Sequence, residues 1–87
     1  MKFIDVADRE EAKSRLEALL DQIPELLSLT VGLDVVGSPA SFDLCLTTTH
    51  DSVETLKAYQ DHPAHEALAI DWLRPKLADR VIVDYES

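Results

Sequence analysis

From Leu27 to Val35 the chain alternates without a break. Leu27, Leu29, Val31, Leu33 and Val35 are apolar, and Ser28, Thr30, Gly32 and Asp34 stand between them. A period of two puts one set of side chains on each face of a pleated strand. Gly37-Ser38-Pro39 then supplies turn residues. Phe42, Leu44 and Leu46 alternate with Asp43, Cys45 and Thr47, and Thr48 and Thr49 extend the run with β-branched residues. The two runs predict a hairpin whose apolar face needs a cover.

The flanking segments supply that cover. Residues 1–6 read as a short extended segment carrying Phe3 and Ile4. Asp8 stands at a helix N-cap position, with Glu11 three residues on. Ala12, Leu16, Leu19, Leu20 and Ile23 form one stripe, which predicts a helix over 9–23 that Pro24 ends. Asp51 and Glu54 repeat the capping spacing ahead of a short helix through Val53, Leu56 and Tyr59. His62-Pro63 marks a break and a restart, because proline suits the first helical position. Leu68, Trp72 and Leu73 give the next stripe, and Pro75 ends or kinks that helix near Arg74. Val81-Ile82-Val83 predicts the last strand. The order is β-α-β-β-α-α-β. It predicts an α+β, ferredoxin-like protomer, a four-stranded antiparallel sheet with helices on one face.

Eighty-seven residues make one domain, 1–87. A chain this short buries about 60–65% of its unfolded surface, so its core is modest. The side of the sheet away from the helices carries Thr30, Gly32, Cys45, Thr47 and, in register, Ile82. Small and neutral side chains suit closure against a second sheet, and a symmetric homodimer would supply one. Burial of about 800 Å² per partner would make that contact standard in size.

A net charge of −9 argues against nucleic acid and anionic membranes as partners. No apolar run approaches the roughly 18 residues of a membrane span, and the start has no signal-peptide pattern. Cys45, the single cysteine, allows no intrachain disulfide and fits a reducing cytoplasm.

Chemistry-bearing residues gather in Tyr59-Gln60-Asp61-His62-Pro63-Ala64-His65. A tyrosine and two histidines can make an acid–base site, since imidazole titrates near neutrality and a phenol can polarise a carbonyl. The plain alternative is that His62 caps a helix and His65 satisfies a buried partner. His50 can join His62 or His65 around a metal, but the spacing matches no metal motif. No metal and no cofactor are expected. Cys45 reads as a small apolar residue.

That stretch, with Val81-Ile82-Val83-Asp84-Tyr85-Glu86, resembles the stress-responsive α/β-barrel (Dabb) family through its Y-x-x-H-P-x-H and V-x-D-Y patterns. The resemblance runs from about residue 8 onward. It implies a homodimeric α/β barrel, in a family mostly of unknown function. A few relatives are cofactor-free polyketide cyclases that use a tyrosine and a histidine as an acid–base pair. The matching positions here are Tyr59 and His65. Members usually open on a longer first strand with a histidine, where this chain has only Met1-Lys2-Phe3. The first strand is therefore expected to be short, or the start to lie downstream of the natural one.

Three functions follow as expectations. The first is a homodimer that binds a small apolar ligand, lined by Leu46, Leu56, His62, Leu68 and Trp72 beside Tyr59 and His65. The second is a cyclase-like enzyme or lyase in which His65 abstracts a proton and Tyr59 stabilises the enolate. The third is a purely structural dimer.

Overall fold

The computed structural model describes residues 1–86. Its elements are β1 (Lys2–Phe3), α1 (Arg9–Gln22), β2 (Ser28–Leu33), β3 (Leu44–Thr49), α2 (Val53–Asp61), α3 (Pro63–Glu66) and β4 (Leu77–Asp79). A 3-10 turn, Val6–Asp8, leads into α1. A π-type turn, Ala67–Leu73, and a 3-10 turn, Arg74–Lys76, join α3 to β4.

Helix α1 forms where its stripe predicts, and Ala12, Leu16, Leu19 and the adjoining Ile23 are buried along it. Each leucine so buried contributes about 1.5–3 kcal/mol. Leu20 falls off the stripe and is exposed. The cap differs from expectation. Asp8 is already helical and makes no side-chain bond. Asp5 takes the role instead, its Oδ1 accepting from the Ala7 N–H at 3.0 Å. Helix α2 is capped by Ser52 rather than Asp51, in a reciprocal box with Thr55. At the hairpin turn the Gly37 N–H donates to Asp34 Oδ2 at 2.6 Å, and Gly37 takes a positive φ of 66°.

Strands β2 and β3 pair antiparallel as the predicted hairpin, with Thr30 opposite Thr47 and Gly32 opposite Cys45. Leu29 and Leu44 are buried against the helices, and Val31, Leu33 and Leu46 pack partly beneath them. Thr30, Gly32, Cys45 and Thr47 face outward. Leu27 and Val35 flank the strand and are exposed.

The four-stranded sheet is not continuous. It is two hydrogen-bonded pairs, β1 with β4 and β2 with β3. Met1 bridges them. Its carbonyl accepts from the Asp43 and Leu44 amides at 2.8 and 3.1 Å, and its ammonium donates to the Leu44 carbonyl at 2.7 Å. The strands thus lie in the order β4-β1-β3-β2. With only two residues in β1, no longer ladder can form between the pairs.

The last strand is the main correction. It forms at Leu77–Asp79, and Val81-Ile82-Val83 lies beyond it, exposed and unpaired. The Ile4 N–H donates to the Lys76 carbonyl at 2.9 Å, so pairing with the short β1 is already spent before Val81 is reached.

Candidate functional site

Helix α2 presents Leu56 and Tyr59, one turn apart, toward the sheet. Tyr59 is buried, only 4% exposed, and Leu56 is half-buried. The chain then breaks as Pro63 demands. His62 turns to extended backbone, and its Nδ1 accepts from the Ala64 N–H at 3.1 Å. Its role is therefore a helix cap. Pro63 opens α3, which brings His65 back over Tyr59.

The Tyr59 and His65 ring centroids stand 4.6 Å apart at an interplanar angle of 60°. On another side His50 meets Tyr59, with centroids 5.1 Å apart at 41°. The two histidines thus meet the tyrosine from separate elements, the end of β3 and helix α3.

Hydrogen bonding defines the tautomer of His65. His65 Nδ1 is 3.0 Å from the Gln60 carbonyl. A carbonyl only accepts, so Nδ1 carries the proton and the neutral ring leaves Nε2 as an open acceptor. Burial holds the His65 imidazole below its ordinary value, against the opposing pull of the Gln60 carbonyl and the Glu66 charge. His50 Nε2 pairs with Thr48 Oγ1 at 2.9 Å, while its buried Nδ1 has no partner. The Tyr59 hydroxyl is also buried without a partner, and burial pushes its pKa up to about 12. At neutral pH this is a protonated phenol with an unused donor beside a neutral imidazole.

The remaining expected site residues divide. Leu68 is buried in the core, and Leu46 and Leu56 lean on it from outside. Trp72 is engaged elsewhere. The Arg15 guanidinium and the Lys76 ammonium stand 4.4 and 4.6 Å from its ring centroid. Its ring is partly buried against the core, and the two cations make a cation–π arrangement worth about 0.5–1 kcal/mol each. The π-type turn brings in Leu73, buried with Leu68 five residues earlier. Wide turns of this kind often accompany functional sites.

His50 was expected only as a metal candidate, and its place beside Tyr59 is new. The signal was available: His50 shares the inward parity of Leu44, Leu46 and Thr48 along β3. Among the described residues no three of His, Cys, Asp and Glu gather to hold a metal. An open hollow of about 260 Å³ is lined by Gly32, Leu33, Asp34, Phe42, Leu44 and Cys45, and another of about 200 Å³ by Arg74, Leu77, Ala78, Asp79 and Arg80. Both lie away from Tyr59. No described helix is long and apolar enough to cross a membrane.

Two antiparallel strand pairs under a helix layer define an α+β domain of the ferredoxin-like kind. A solved dimeric ferredoxin-like protein of unknown function from Thermobifida fusca is similar, with a TM-score of 0.77 and 30% identity over 92% of this chain and 77% of that one. An uncharacterised protein of Streptomyces coelicolor is 33% identical over 90 residues, 98% of this chain and 91% of its own length. The model of the stress responsive A/B barrel domain matches residues 1–87, and the chain belongs to that Dabb family.

Proposed function

We propose that this protein is a self-associating Dabb-domain homodimer that takes up a small, mostly apolar molecule bearing one hydrogen-bond acceptor beside Tyr59. The observation that carries this reading is the Tyr59 hydroxyl, buried and unpartnered. A buried polar group left unpaired costs about 1–3 kcal/mol, so a ligand that accepts its proton recovers that energy on binding. Leu46 and Leu56, half-buried against the core, are the apolar side chains such a ligand would meet. The Thermobifida protein, described as dimeric, supports the self-association. A single, exposed Cys45 fits a reducing cytoplasm.

The test is binding of 1-tetralone, an apolar probe with one carbonyl, followed by calorimetry. Saturable binding that weakens about fivefold or more in Tyr59→Phe, one charge-neutral hydrogen bond's worth, supports the reading. Equal binding by both forms, or none, rejects it. Light scattering of the unmodified chain tests the dimer directly.

A second reading has one specific observation behind it, the Gln60 carbonyl that orients His65. An imidazole with one nitrogen anchored and the other open is arranged as a general base. His65 Nε2 would take a proton from the carbon next to a carbonyl, and the Tyr59 hydroxyl would donate to the enolate oxygen. Deuterium uptake at the tetralone α-carbon in D₂O separates the two. Uptake accelerated by the protein and lost in His65→Gln favours the cyclase-like enzyme. Binding without uptake favours the binder.

A further inference from the structure

Tyr59 is not alone at its site in having an unused polar atom. His50 directly follows β3, and its Nδ1 is buried with no hydrogen-bond partner among the described residues. The ring as a whole is half-buried, and its centroid lies 5.1 Å from that of Tyr59. The other nitrogen, Nε2, is tethered to Thr48 Oγ1 at 2.9 Å, which holds the ring in place. A buried polar atom left unpaired costs stability, and native folds keep few of them. Packing against Tyr59 would be served as well by phenylalanine, which has no such atom. Two unpaired polar atoms thus sit on neighbouring rings that come from separate elements, the end of β3 and helix α2.

We infer that His50 is the specificity-determining residue of this site: its Nδ1 reads a second oxygen on the ligand, a hydroxyl, while Tyr59 holds the carbonyl. The inference rests on the ligand binding proposed above, and it narrows the ligand from an apolar ketone to an apolar hydroxy-ketone.

The choice of a hydroxyl follows from the tautomers. An uncharged imidazole carries one N–H, and the Thr48 hydroxyl can either give or take a hydrogen bond. Where Nε2–H donates to Thr48, Nδ1 accepts; where Thr48 donates to Nε2, Nδ1–H donates. A ligand carbonyl suits only the second state. A hydroxyl suits both, because it donates and accepts. Tyr59 differs. Its phenol offers an unused O–H, which is the donor that a carbonyl needs. The two rings therefore tell the ends of a hydroxy-ketone apart, and two directional contacts fix the orientation of a ligand where one does not. A ketone without the hydroxyl leaves Nδ1 buried and unpaired. A site built to bond a hydroxyl discriminates against the analogue that lacks it for that reason.

The test compares 1-tetralone with 5-hydroxy-, 6-hydroxy- and 7-hydroxy-1-tetralone, whose hydroxyls are too far from the carbonyl to bond to it. Calorimetry gives the affinity of each for the full chain, His50→Phe and His65→Gln. The expected result is that at least one hydroxylated isomer binds about fivefold or more tightly than 1-tetralone. In His50→Phe that advantage should shrink below about twofold, while 1-tetralone itself changes by less than about twofold. The unchanged 1-tetralone affinity shows that the variant is folded and that Tyr59 still works. The nitrogen-15 resonance of His50 Nδ1 should move when that isomer binds and stay in place with 1-tetralone. Three isomers no tighter than 1-tetralone overturn the role of His50 and leave the Tyr59 reading standing. An advantage that survives in His50→Phe and disappears in His65→Gln moves the second contact to His65 and overturns it as well. Loss of 1-tetralone itself in His50→Phe does the same, since His50 then holds the seat open and reads no second oxygen. A full chain that binds none of the four ketones rejects both readings.

Discussion

Tyr59 and His65 lie six residues apart across a proline break, yet their rings meet at 4.6 Å. The break makes the contact. His62 caps the new helix, and the turn it creates folds His65 back against the tyrosine, where the Gln60 carbonyl holds it. The hydroxyl of Tyr59 gains nothing from this arrangement in the ligand-free chain, which leads to the first prediction.

Tyr59→Phe should stabilise the ligand-free protein. The substitution removes a buried, unpaired hydroxyl and keeps the ring contacts with His50 and His65. The gain should be about 1 kcal/mol, or a rise of about 4–8 °C in the melting temperature of a domain this size. Calorimetry checks it. Tyr59→Ala, which empties the same site, should instead cost about 3–5 kcal/mol. A Tyr59→Phe variant that melts lower would mean that the hydroxyl has a partner in solution.

Acid should weaken the fold through His65. Its imidazole is held below its ordinary value of 6.5 chiefly by burial. Below about pH 6.5 the unfolded chain therefore takes up a proton before the folded one does. Stability should fall as pH drops through that window and level off once the folded imidazole also protonates. Urea titrations of the chain and of His65→Gln between pH 7.5 and about 5 should differ in slope. Parallel curves would remove His65 as the source.

Alkali should act through Tyr59 in the opposite direction. Its folded pKa near 12 exceeds the ordinary 10.0, so the unfolded chain loses the proton first. Stability should decline from about pH 10 to 12, by about 2–3 kcal/mol in all. Ultraviolet absorbance at the phenolate band, compared between the chain and Tyr59→Phe, should assign to Tyr59 a component that ionises only near pH 12. A Tyr59 component that ionises at the ordinary 10.0 would contradict the burial of its hydroxyl.

Gly32 should be required by the dimer and not by the protomer. A Cβ built on it meets nothing within 4 Å, and its φ is not positive. Within one chain, nothing requires glycine in the middle of β2. Gly32→Val should therefore raise protomer stability by about 0.5–1 kcal/mol, through lost unfolded-state freedom and better strand propensity. It should weaken association about tenfold if a second sheet approaches closely there. Denaturation at low concentration and sedimentation at high concentration separate the two effects. Undiminished association would place the interface on another face.

Local chemistry in the chain settled most of the fold. Leu29 to Leu33 could only form a half-buried strand, because alternation admits no other element. Ala12, Leu16, Leu19 and Ile23 could only form one helix face, and Pro24 and Pro63 set limits that backbone geometry imposes anywhere. These are short-range constraints, legible residue by residue. Pairing is a long-range matter, and there tertiary structure decided. It placed β4 at Leu77–Asp79 because β1 is only two residues long and its bonds are used by then, although the strand composition of Val81-Ile82-Val83 is stronger. It brought His50 to Tyr59 from another element, made His62 a cap, and set Trp72 under two cations instead of beside the phenol. Propensity governs each segment separately, whereas the partner of a side chain or a strand depends on which distant surfaces the whole chain leaves open.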